Sequence, residues 1–330
     1  MRALYWDGHE LSLDSSYSTP QESKVVGATG CRPESGDDQA ALISVHVAGI
    51  CATDLQIFKG YMNFRGVAGH EFVGSVVEGP RELINKRVVG EINFACGRCA
   101  YCDRRLDRHC PSRRVMGILN ADGAFAEYVA VPIRNLRVVP SSVSDEEAVF
   151  TEPLAAAFEI LEQVKVDPGD EVLVLGDGKL GNLCAQALRL TGARVTALGK
   201  HEDKLKQIKR SGVRTMLLND WQPKPFDVVV EATGSASGLE LAMSAVRPRG
   251  TVVLKSTVAG VHTVSLAPLV INEVTVVGSR CGVFPPALEA LSEKTVSVTP
   301  MIEKIYPLRE GIEAVAHAGK RGARKILLRP

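Results

Sequence analysis

Apolar and polar residues follow different patterns in different parts of this 330-residue chain. Up to about residue 147, short runs rich in β-branched residues are separated by Gly and Pro, which is typical of a domain built from short strands. These runs predict a β-rich lobe with strands at Ala41–Ala48, Glu71–Glu78, Arg87–Asn93 and Phe125–Val131.

From about residue 150 to about 280, apolar runs alternate with segments of helical length, which is typical of parallel βαβ units. The runs are almost continuously apolar, as expected of strands covered on both faces. The predicted strands are Glu171–Leu175, Arg194–Leu198, Asp227–Glu231 and Thr251–Leu254, and the predicted helices are Leu180–Thr191, His201–Ser211 and Ser237–Val246. Beyond Gly282, the pattern predicts helices at Pro286–Glu293 and around Gly311–Ala318 and a last strand at Lys325–Leu328. The predicted fold class is α/β, a doubly wound parallel sheet with a second, β-rich domain.

Length and composition narrow the class of protein. At roughly 150 residues per domain, the chain is long enough for about two domains. Lys and Arg total 39 and Asp and Glu total 38, a formal net charge of +1, which argues against a dedicated nucleic-acid binder. Apolar runs fall short of the ~18 residues of a membrane helix, and the N-terminus lacks signal-peptide features. We therefore expect a cytosolic protein, in which clustered cysteines indicate a metal rather than disulfides.

A glycine-rich segment follows the first strand of the βαβ region. Gly176, Gly178 and Gly181 stand directly after that strand and at the start of a helix, with Lys179 and Leu180 completing the turn. This spacing allows a tight turn, close approach of the backbone to a pyrophosphate, and close packing of helix on strand. It predicts a dinucleotide site at a helix N-terminus. The alternative is a glycine-rich turn that binds nothing.

The end of the next strand bears on which cofactor binds. Sites that prefer NAD usually carry Asp or Glu there, which bonds the ribose 2′-hydroxyl and repels a 2′-phosphate. Gly199 stands at this position, followed by Lys200 and His201. The sequence therefore predicts a preference for NADP(H). The alternative is that Lys200 is an ordinary surface lysine and the site also accepts NAD(H).

Four cysteines lie within fifteen residues, in a Cys-x2-Cys-x2-Cys-x7-Cys pattern: Cys96, Cys99, Cys102 and Cys110. Four thiolates close a tetrahedral shell, so this segment predicts a structural zinc site. An iron–sulfur cluster also uses four cysteines. Arginines around the cysteines would suit a nucleic-acid zinc ribbon, but the interleaved Asp103 and Asp107 favour a solvated lobe or a subunit interface.

A second set of metal-binding residue types is spread along the chain: Cys51, His70, Glu71 and Glu152. Taken singly, each has an ordinary explanation as a buried thiol, a core histidine or a carboxylate at a helix start. Together they supply one sulfur, one nitrogen and one or two oxygens. That donor set predicts an open, catalytic zinc site.

With these motifs in order, the chain resembles the zinc-dependent alcohol dehydrogenase family of medium-chain dehydrogenases/reductases along nearly its whole length. Within that family it is most similar to the polyol, threonine and glucose dehydrogenase branch. The segments that carry the resemblance are Gly49-Ile-Cys-Ala-Thr-Asp54, Gly69-His-Glu71, the four-cysteine segment, Glu152-Pro-Leu-Ala155, the glycine loop, Glu231-Ala-Thr-Gly234, Asn272–Arg280 and Lys325-Ile-Leu-Leu328.

The resemblance implies two domains. A GroES-like catalytic domain would span residues 1–147 and include a C-terminal return at 283–330, and a Rossmann domain would span 148–282. It further implies a catalytic zinc held by Cys51, His70 and Glu152, with Glu71 as an alternate ligand. Thr233, Gly278 and Arg280 match cofactor-binding positions, and homodimers or homotetramers are expected.

For the chemistry, the resemblance implies hydride transfer between NADP(H), or NAD(H), and an alcohol or polyol or its carbonyl partner. Thr53 matches the hydroxyl that begins the proton relay, and Asp54 matches the carboxylate that orients His70. Gln56 replaces a relay histidine, and Phe158 stands where a small residue or a histidine is common, so the pocket is expected to differ from that of a standard sugar dehydrogenase. The alternatives are a non-catalytic, nucleotide-sensing relative of the same fold, a zinc-independent enone or quinone reductase, and a zinc-ribbon nucleic-acid binder.

Overall fold

The computed structural model of the chain describes residues 1–20, 39–257 and 263–330. These residues form two compact units: Met1–Glu152 with Ile302–Pro330, and Pro153–Met301. Within the described ranges, each helix is too short or too polar to cross a membrane.

The strands and helices are numbered in chain order. The strands of the first unit are β1 (Ala3–Trp6), β2 (Leu11–Asp14), β3 (Ala40–Gly49), β4 (Gly66–Val67), β5 (Glu71–Glu78), β6 (Arg87–Gly90), β7 (Asn93–Phe94), β8 (Arg114–Met116), β9 (Asn120–Ala121), β10 (Tyr128–Pro132), β11 (Leu136–Val138), β18 (Ile302–Pro307) and β19 (Lys325–Arg329). Those of the second unit are β12 (Glu171–Leu175), β13 (Arg194–Gly199), β14 (Arg214–Leu217), β15 (Phe226–Glu231), β16 (Val246–Leu254) and β17 (Thr275–Gly278). The helices are α1 (Ala52–Ile57), α2 (Ala100–Asp103), α3 (Asp145–Ala148), α4 (Thr151–Gln163), α5 (Lys179–Arg189), α6 (Glu202–Arg210), α7 (Gly238–Ala245), α8 (Ala267–Ile271), α9 (Phe284–Ser292) and α10 (Gly311–Ala318).

The main sheet of the first unit has the order β11-β6-β5-β3-β19-β18, and β10 also pairs with β3. Two antiparallel pairings of β3 bring distant parts of the chain together. Gly49 at the end of β3 lies opposite Glu71 of β5 and opposite Leu327 of β19. Because neighbouring antiparallel strands run in opposite directions, the end of β3 meets the starts of β5 and β19. Smaller sheets have the orders β2-β1-β4 and β7-β8-β9.

The second unit is built on a parallel sheet with the order β14-β13-β12-β15-β16-β17. The first strand along the chain, β12, is central, and the strand order reverses beside it, as in doubly wound dinucleotide-binding folds. The apolar strands of this sheet are buried as expected. Leu173 of β12, Phe226 and Val229 of β15, and Val252 of β16 lie in one core cluster. The predicted α/β class is confirmed.

Two of the differences from the sequence patterns bear on the architecture. The run Arg87–Asn93 is divided between β6 and β7, which belong to different sheets. The division falls where Asn135 takes up the backbone: its carbonyl accepts from the amide of Glu91, and its side chain donates to the carbonyls of Glu91 and Asn93. The return to the first unit begins at Ile302 rather than at residue 283. Residues 283–301 stay with the second unit, where the Ser297 amide donates to Gln186 at 2.7 Å and Arg189 donates to the Thr295 carbonyl at 3.2 Å.

Candidate zinc centres and dinucleotide site

Cys51 lies at the turn between β3 and α1, where it is the N-cap of the helix. Its amide donates a 2.7 Å hydrogen bond to Oδ2 of Asp54, which satisfies one of the unpaired donors at the helix start. Its Sγ lies 3.8 Å from Oγ1 of Thr53. The turn therefore places a thiol and a hydroxyl side by side.

Asp54 connects this turn to His70, which directly precedes β5. The carboxylate is fully buried, and its Oδ1 lies 3.1 Å from Nδ1 of the buried His70 imidazole. A carboxylate at this distance orients an imidazole and leaves the other ring nitrogen for a metal. Asp54 thus contacts both the helix start and the imidazole, and its role in orienting a metal-bound His70 stays a prediction.

Donor atoms of Cys51, His70 and Glu71 all lie within 4.8 Å of one another. Around a tetrahedral zinc, with ligand distances of about 2.0–2.3 Å, neighbouring donors lie roughly 3.4–3.8 Å apart. One sulfur, one nitrogen and one carboxylate oxygen also make up a three-ligand set of the kind that leaves a fourth position open. The three side chains therefore fit a catalytic zinc ion.

The same side chains stabilise each other's charged forms. Burial alone would raise the pKa of the Cys51 thiol, but the adjacent His70 imidazole outweighs burial and lowers it. Burial likewise disfavours a charged imidazole, yet Asp54 and Cys51 raise the pKa of His70 well above its usual value. A thiolate is the form of cysteine that binds metal, and zinc would take the place of the imidazole proton.

Lys325 is a member of this cluster that the sequence reasoning missed. It opens β19 and forms a buried ion pair with Glu71, and its Nζ also donates to the carbonyl of Ile50 at 3.3 Å. Burial lowers the pKa of Lys325 to about 8. A Cβ on Gly49 would lie 2.5 Å from Oε2 of Glu71 and 2.8 Å from Cε of Lys325, so a larger residue there would displace the ends of these two side chains. The available signal was a lysine at the head of the apolar run Lys325-Ile-Leu-Leu328.

The remaining predicted residues of this centre lie outside the close cluster. Glu152 is half-buried in the first turn of α4 and is not among the described donors that lie within 4.8 Å of one another. Its part as a zinc ligand stays a prediction. Gln56 is exposed on α1, and Phe158 is half-buried on α4.

The four-cysteine segment brings its sulfur atoms together around α2. The donor atoms of Cys96, Cys99, Cys102 and Cys110 lie within 4.8 Å of one another. Sγ of Cys99 is 3.5 Å from that of Cys102 and 3.8 Å from that of Cys110. Four sulfurs at about 2.3 Å from one zinc would be separated by ~3.8 Å, whereas a disulfide requires about 2.05 Å. The arrangement fits a closed, structural zinc site.

Backbone amides already favour one thiolate in this segment. Hydrogen bonds led by the amide of Cys102 lower the pKa of Cys99 to about 7. Burial, together with the bond to Cys99, raises the pKa of Cys102 to about 12, and burial also raises that of Cys110. Because a zinc ion needs all four sulfurs deprotonated, metal binding would release protons from this segment, those of Cys102 and Cys110 among them.

The glycine loop of the second unit has the geometry that a pyrophosphate requires. Gly176 has φ +116°, and a Cβ there would lie 2.5 Å from the carbonyl oxygen of Ala232. A Cβ on Gly181 would overlap the carbonyl oxygen of Gly176. At Gly178, the N-cap of α5, the described residues place no atom within 4 Å of the point that a Cβ would take, and Lys179 and Leu180 begin the helix. The loop packs tightly on the inside and leaves open space at Gly178, so it fits a dinucleotide at the helix N-terminus.

The end of β13 differs from what its sequence suggests. Gly199 ends the strand, Lys200 is exposed, and His201 is the N-cap of α6. The carboxylate of Asp177, from the glycine loop, lies against this strand end with only 8% of its side chain exposed. The strand itself supplies no acid, but the neighbouring loop does. The sequence reasoning missed this placement.

The other predicted cofactor residues also lie at the carboxyl ends of the parallel strands. Thr233 follows β15, and its hydroxyl donates to Glu231 at 2.6 Å. Gly278 ends β17, and the backbone oxygen of Arg280 accepts from Lys255 at 2.9 Å. Doubly wound folds bind their ligands at this edge of the sheet. The placement supports the predicted site, and the individual contacts to a cofactor stay predictions.

Two family models match the chain. The alcohol dehydrogenase GroES-like domain matches residues 37–141, and zinc-binding dehydrogenase matches residues 180–295. D-arabinitol dehydrogenase 1 from Uromyces fabae is 30% identical over 320 residues, which cover 89% of this chain and 91% of that protein. The chain belongs to the zinc-dependent alcohol dehydrogenase family. It is therefore an oxidoreductase that acts on alcohols, and the predicted family and reaction class are confirmed.

Other relatives of this alcohol dehydrogenase agree with the assignment. Sorbitol dehydrogenase from Halalkalibacterium halodurans is 29% identical over 87% of this chain and 91% of that protein. Alcohol dehydrogenase TADH from Thermus sp. ATN1 is 28% identical, with a TM-score of 0.87 over 100% of this chain and 99% of that one. A zinc-binding dehydrogenase from Sinorhizobium meliloti, solved with NADP bound, is 25% identical, with a TM-score of 0.88 and the same coverage.

The four-cysteine segment of this alcohol dehydrogenase is expected to depend on its metal for stability. We expect Cys110→Ser to remove one zinc per chain and to lower the melting temperature by about 10 °C, since the loss of a structural metal costs several kcal/mol. Cys110 is fully buried. Elemental analysis and thermal unfolding measure both effects. Ser112→Ala, an exposed change two residues away, is the control. An unchanged zinc content in Cys110→Ser would contradict the site.

Proposed function

We propose that this alcohol dehydrogenase interconverts a polyol and its carbonyl partner, with one catalytic zinc, one structural zinc and NADP(H) or NAD(H). The observation that carries the proposal is the cluster of Cys51, His70 and Glu71, with their donor atoms within 4.8 Å and the Thr53 hydroxyl 3.8 Å from the Cys51 sulfur. The polyol class is supported by the relatives named as D-arabinitol and sorbitol dehydrogenases.

In this proposal, Cys51 and His70 hold the metal, and Asp54 keeps the imidazole in the orientation that binding needs. Zinc bound there would supply a Lewis acid for the substrate oxygen. Thr53 accepts the hydroxyl proton of the substrate at Oγ1 and passes its own proton on. Because Gln56 is exposed on the same helix and carries no titratable group, the proton leaves Thr53 through solvent or another side chain.

The third protein ligand comes from one of two carboxylates. Glu71 lies within the donor cluster, but it is paired with Lys325. Glu152 stands at the start of α4 and matches the ligand of the polyol branch. We propose Glu152 as the resident ligand and Glu71 as the alternate. If Glu71 left Lys325 in order to bind the zinc, the ammonium of Lys325 would be buried beside the cation without its carboxylate partner.

The second unit binds the nicotinamide cofactor, which would accept or deliver the hydride. The support is the open space at Gly178, at the start of α5, together with the predicted residues along the carboxyl edge of the sheet. Gly199 and Lys200 favour NADP(H), because the strand ends without an acid that would repel a 2′-phosphate and a lysine follows it, and this preference stays a prediction.

The test is the absorbance of reduced nicotinamide while the purified protein meets a panel of polyols, simple alcohols and aldehydes with NADP(H) and NAD(H) in parallel. We expect turnover with polyols that a zinc chelator abolishes. Turnover confined to activated double bonds would favour an enone or quinone reductase instead. Cofactor binding without any turnover would favour the nucleotide-sensing alternative.

We also propose that the protein is a homodimer joined through the edge of its parallel sheet. β17 is an edge strand with an exposed Val276, and Leu266, Val270 and Ile271 on α8 are 60%, 77% and 77% exposed. An unpaired strand edge with exposed apolar residues is a template for pairing with a second copy.

The free thiols of the zinc centres suit a reducing compartment, so we place the protein in the cytoplasm.

The dimer predicts a specific change in mass. Val270→Asp combined with Ile271→Asp is expected to convert the dimer to a monomer in sedimentation equilibrium, because two buried charges would face the partner copy. Ile312→Asp, which changes an apolar residue that is 51% exposed on α10, is the matched control. A wild-type protein that sediments as a monomer would contradict the proposal.

A further inference from the structure

The side chain of Asp177, the second residue of the glycine loop, contacts the end of β13. Its Oδ2 accepts hydrogen bonds from the backbone amides of Lys200 and His201, each at 2.7 Å. Its Oδ1 lies 3.0 Å from Nδ1 of the His201 ring. The carboxylate therefore reaches across from the loop after β12 and binds the donors at the end of β13.

Gly199 and Asp177 fit each other. A Cβ on Gly199 would lie 2.5 Å from the Cβ of Asp177 and would overlap its carboxylate. The carboxylate thus fills the space into which the side chain of a strand-end acid would extend. The absence of an acid at position 199 and the presence of one at position 177 are two parts of the same arrangement.

The Asp177 carboxylate is an anion at neutral pH. Burial alone would raise its pKa, but the hydrogen bonds from the His201 side chain and from the amides of His201 and Lys200 keep it below its usual value. A 2′-phosphate bound at this strand end would need the same kind of donors, namely backbone amides, a ring N–H and the exposed ammonium of Lys200. Asp177 already uses three of these donors.

We propose that Asp177 is the residue that limits the discrimination between NADP(H) and NAD(H). Its carboxylate acts as an internal anion that occupies the donors needed by the 2′-phosphate and repels that phosphate, and so it offsets the preference for NADP(H) conferred by Gly199 and Lys200. This inference rests on the proposed function, because it assumes that the second unit binds a nicotinamide dinucleotide. The glycine loop, and not the strand end alone, then sets the specificity between NADP(H) and NAD(H).

The test uses binding of nucleotides rather than turnover. The dissociation constants of NADH and NADPH are measured by fluorescence titration, and those of 5′-ADP and 2′,5′-ADP by calorimetry, for the wild-type protein and for Asp177→Asn and Asp177→Ser. Asn keeps the shape and removes the charge, whereas Ser also frees the amides. Asp203→Asn is the matched control, because Asp203 is an exposed acid in the first turn of α6.

Removing the Asp177 charge is expected to tighten NADPH about tenfold relative to NADH in Asp177→Asn, because a like charge is removed from beside the phosphate. Asp177→Ser is expected to give a larger change, and 2′,5′-ADP should follow NADPH in both variants. The dissociation constants of NADH and 5′-ADP should change by less than about threefold, because these nucleotides carry no 2′-phosphate for the charge to repel. Asp203→Asn should leave all four constants at the wild-type values.

Two results would overturn the inference while leaving the proposed function intact. In one, both Asp177 variants melt close to the wild-type temperature and bind the nucleotides with an unchanged ratio of affinities. In the other, NADH weakens about tenfold and NADPH does not change, which would mean that the carboxylate binds the ribose hydroxyl directly. A wild-type protein that binds none of the four nucleotides would refute the dinucleotide site itself and this inference with it.

Discussion

Cys51→Ser is expected to lower kcat by about a thousandfold or more and to remove one of the two zinc ions per chain. A serine hydroxyl remains protonated at neutral pH and is a poor zinc ligand, so the centre would lose its sulfur donor. The loss of Lewis-acid stabilisation is worth ~4 kcal/mol, and about 1.4 kcal/mol corresponds to each factor of ten in rate. Steady-state kinetics and elemental analysis of the same preparation measure both quantities.

Thr53→Ala is the matched comparison, since Thr53 lies beside Cys51 and binds no metal in this account. It should retain both zinc ions and lose most of its turnover, because general acid–base catalysis contributes about a hundredfold or more. A Cys51→Ser protein that keeps two zinc ions per chain would remove Cys51 from the metal site. Full activity in Thr53→Ala would remove Thr53 from the proton relay.

Gly178→Ala is expected to weaken the binding of NADPH and NADH by about tenfold or more without destabilising the protein. Gly178 has φ −74° and ψ −177°, which an alanine adopts readily, and the described residues leave the space around its Cβ position empty. The added methyl group would instead occupy the space through which the loop backbone approaches the pyrophosphate. Fluorescence titration and thermal unfolding test the two parts of the prediction.

Gly181→Ala provides the opposite case within the same loop. Its methyl group would overlap the carbonyl oxygen of Gly176, so we expect a loss of stability of about 1–3 kcal/mol from overpacking. If Gly178→Ala bound both cofactors as tightly as the wild type, the pyrophosphate would not lie at this loop. If Gly178→Ala lost as much stability as Gly181→Ala, the space around the Gly178 Cβ position would not be open.

The features that the sequence predicted well are those with local causes. Four cysteines within fifteen residues are held close by the chain itself, so their spacing alone indicates the cluster. Most of the glycine loop is equally local: Gly181 is required by its contact with Gly176 in the same loop, and Gly176 by its positive φ as well as by the carbonyl of Ala232. The buried βαβ strands are recognisable because both faces are covered and their residues are almost all apolar.

The features that the sequence did not predict depend on register or on side-chain direction. The Glu71–Lys325 ion pair joins residues 254 positions apart, and it follows from the register of β3 with β5 and β19. The direction of the Asp177 side chain depends on the neighbouring strand having no Cβ at Gly199. A local motif shows neither the strand register nor the missing Cβ at Gly199, because each lies far along the chain from the side chains that it positions.

The most direct test of the account is zinc-dependent turnover by the wild-type protein on its best polyol substrate. Reduced-nicotinamide absorbance is recorded before chelation, after chelation and after zinc is returned, with metal content measured at each stage. We expect turnover to be lost when the first zinc leaves and to return when that zinc is restored, while the four-cysteine site keeps its metal. Turnover that continues after the Cys51–His70 site has been emptied would contradict it.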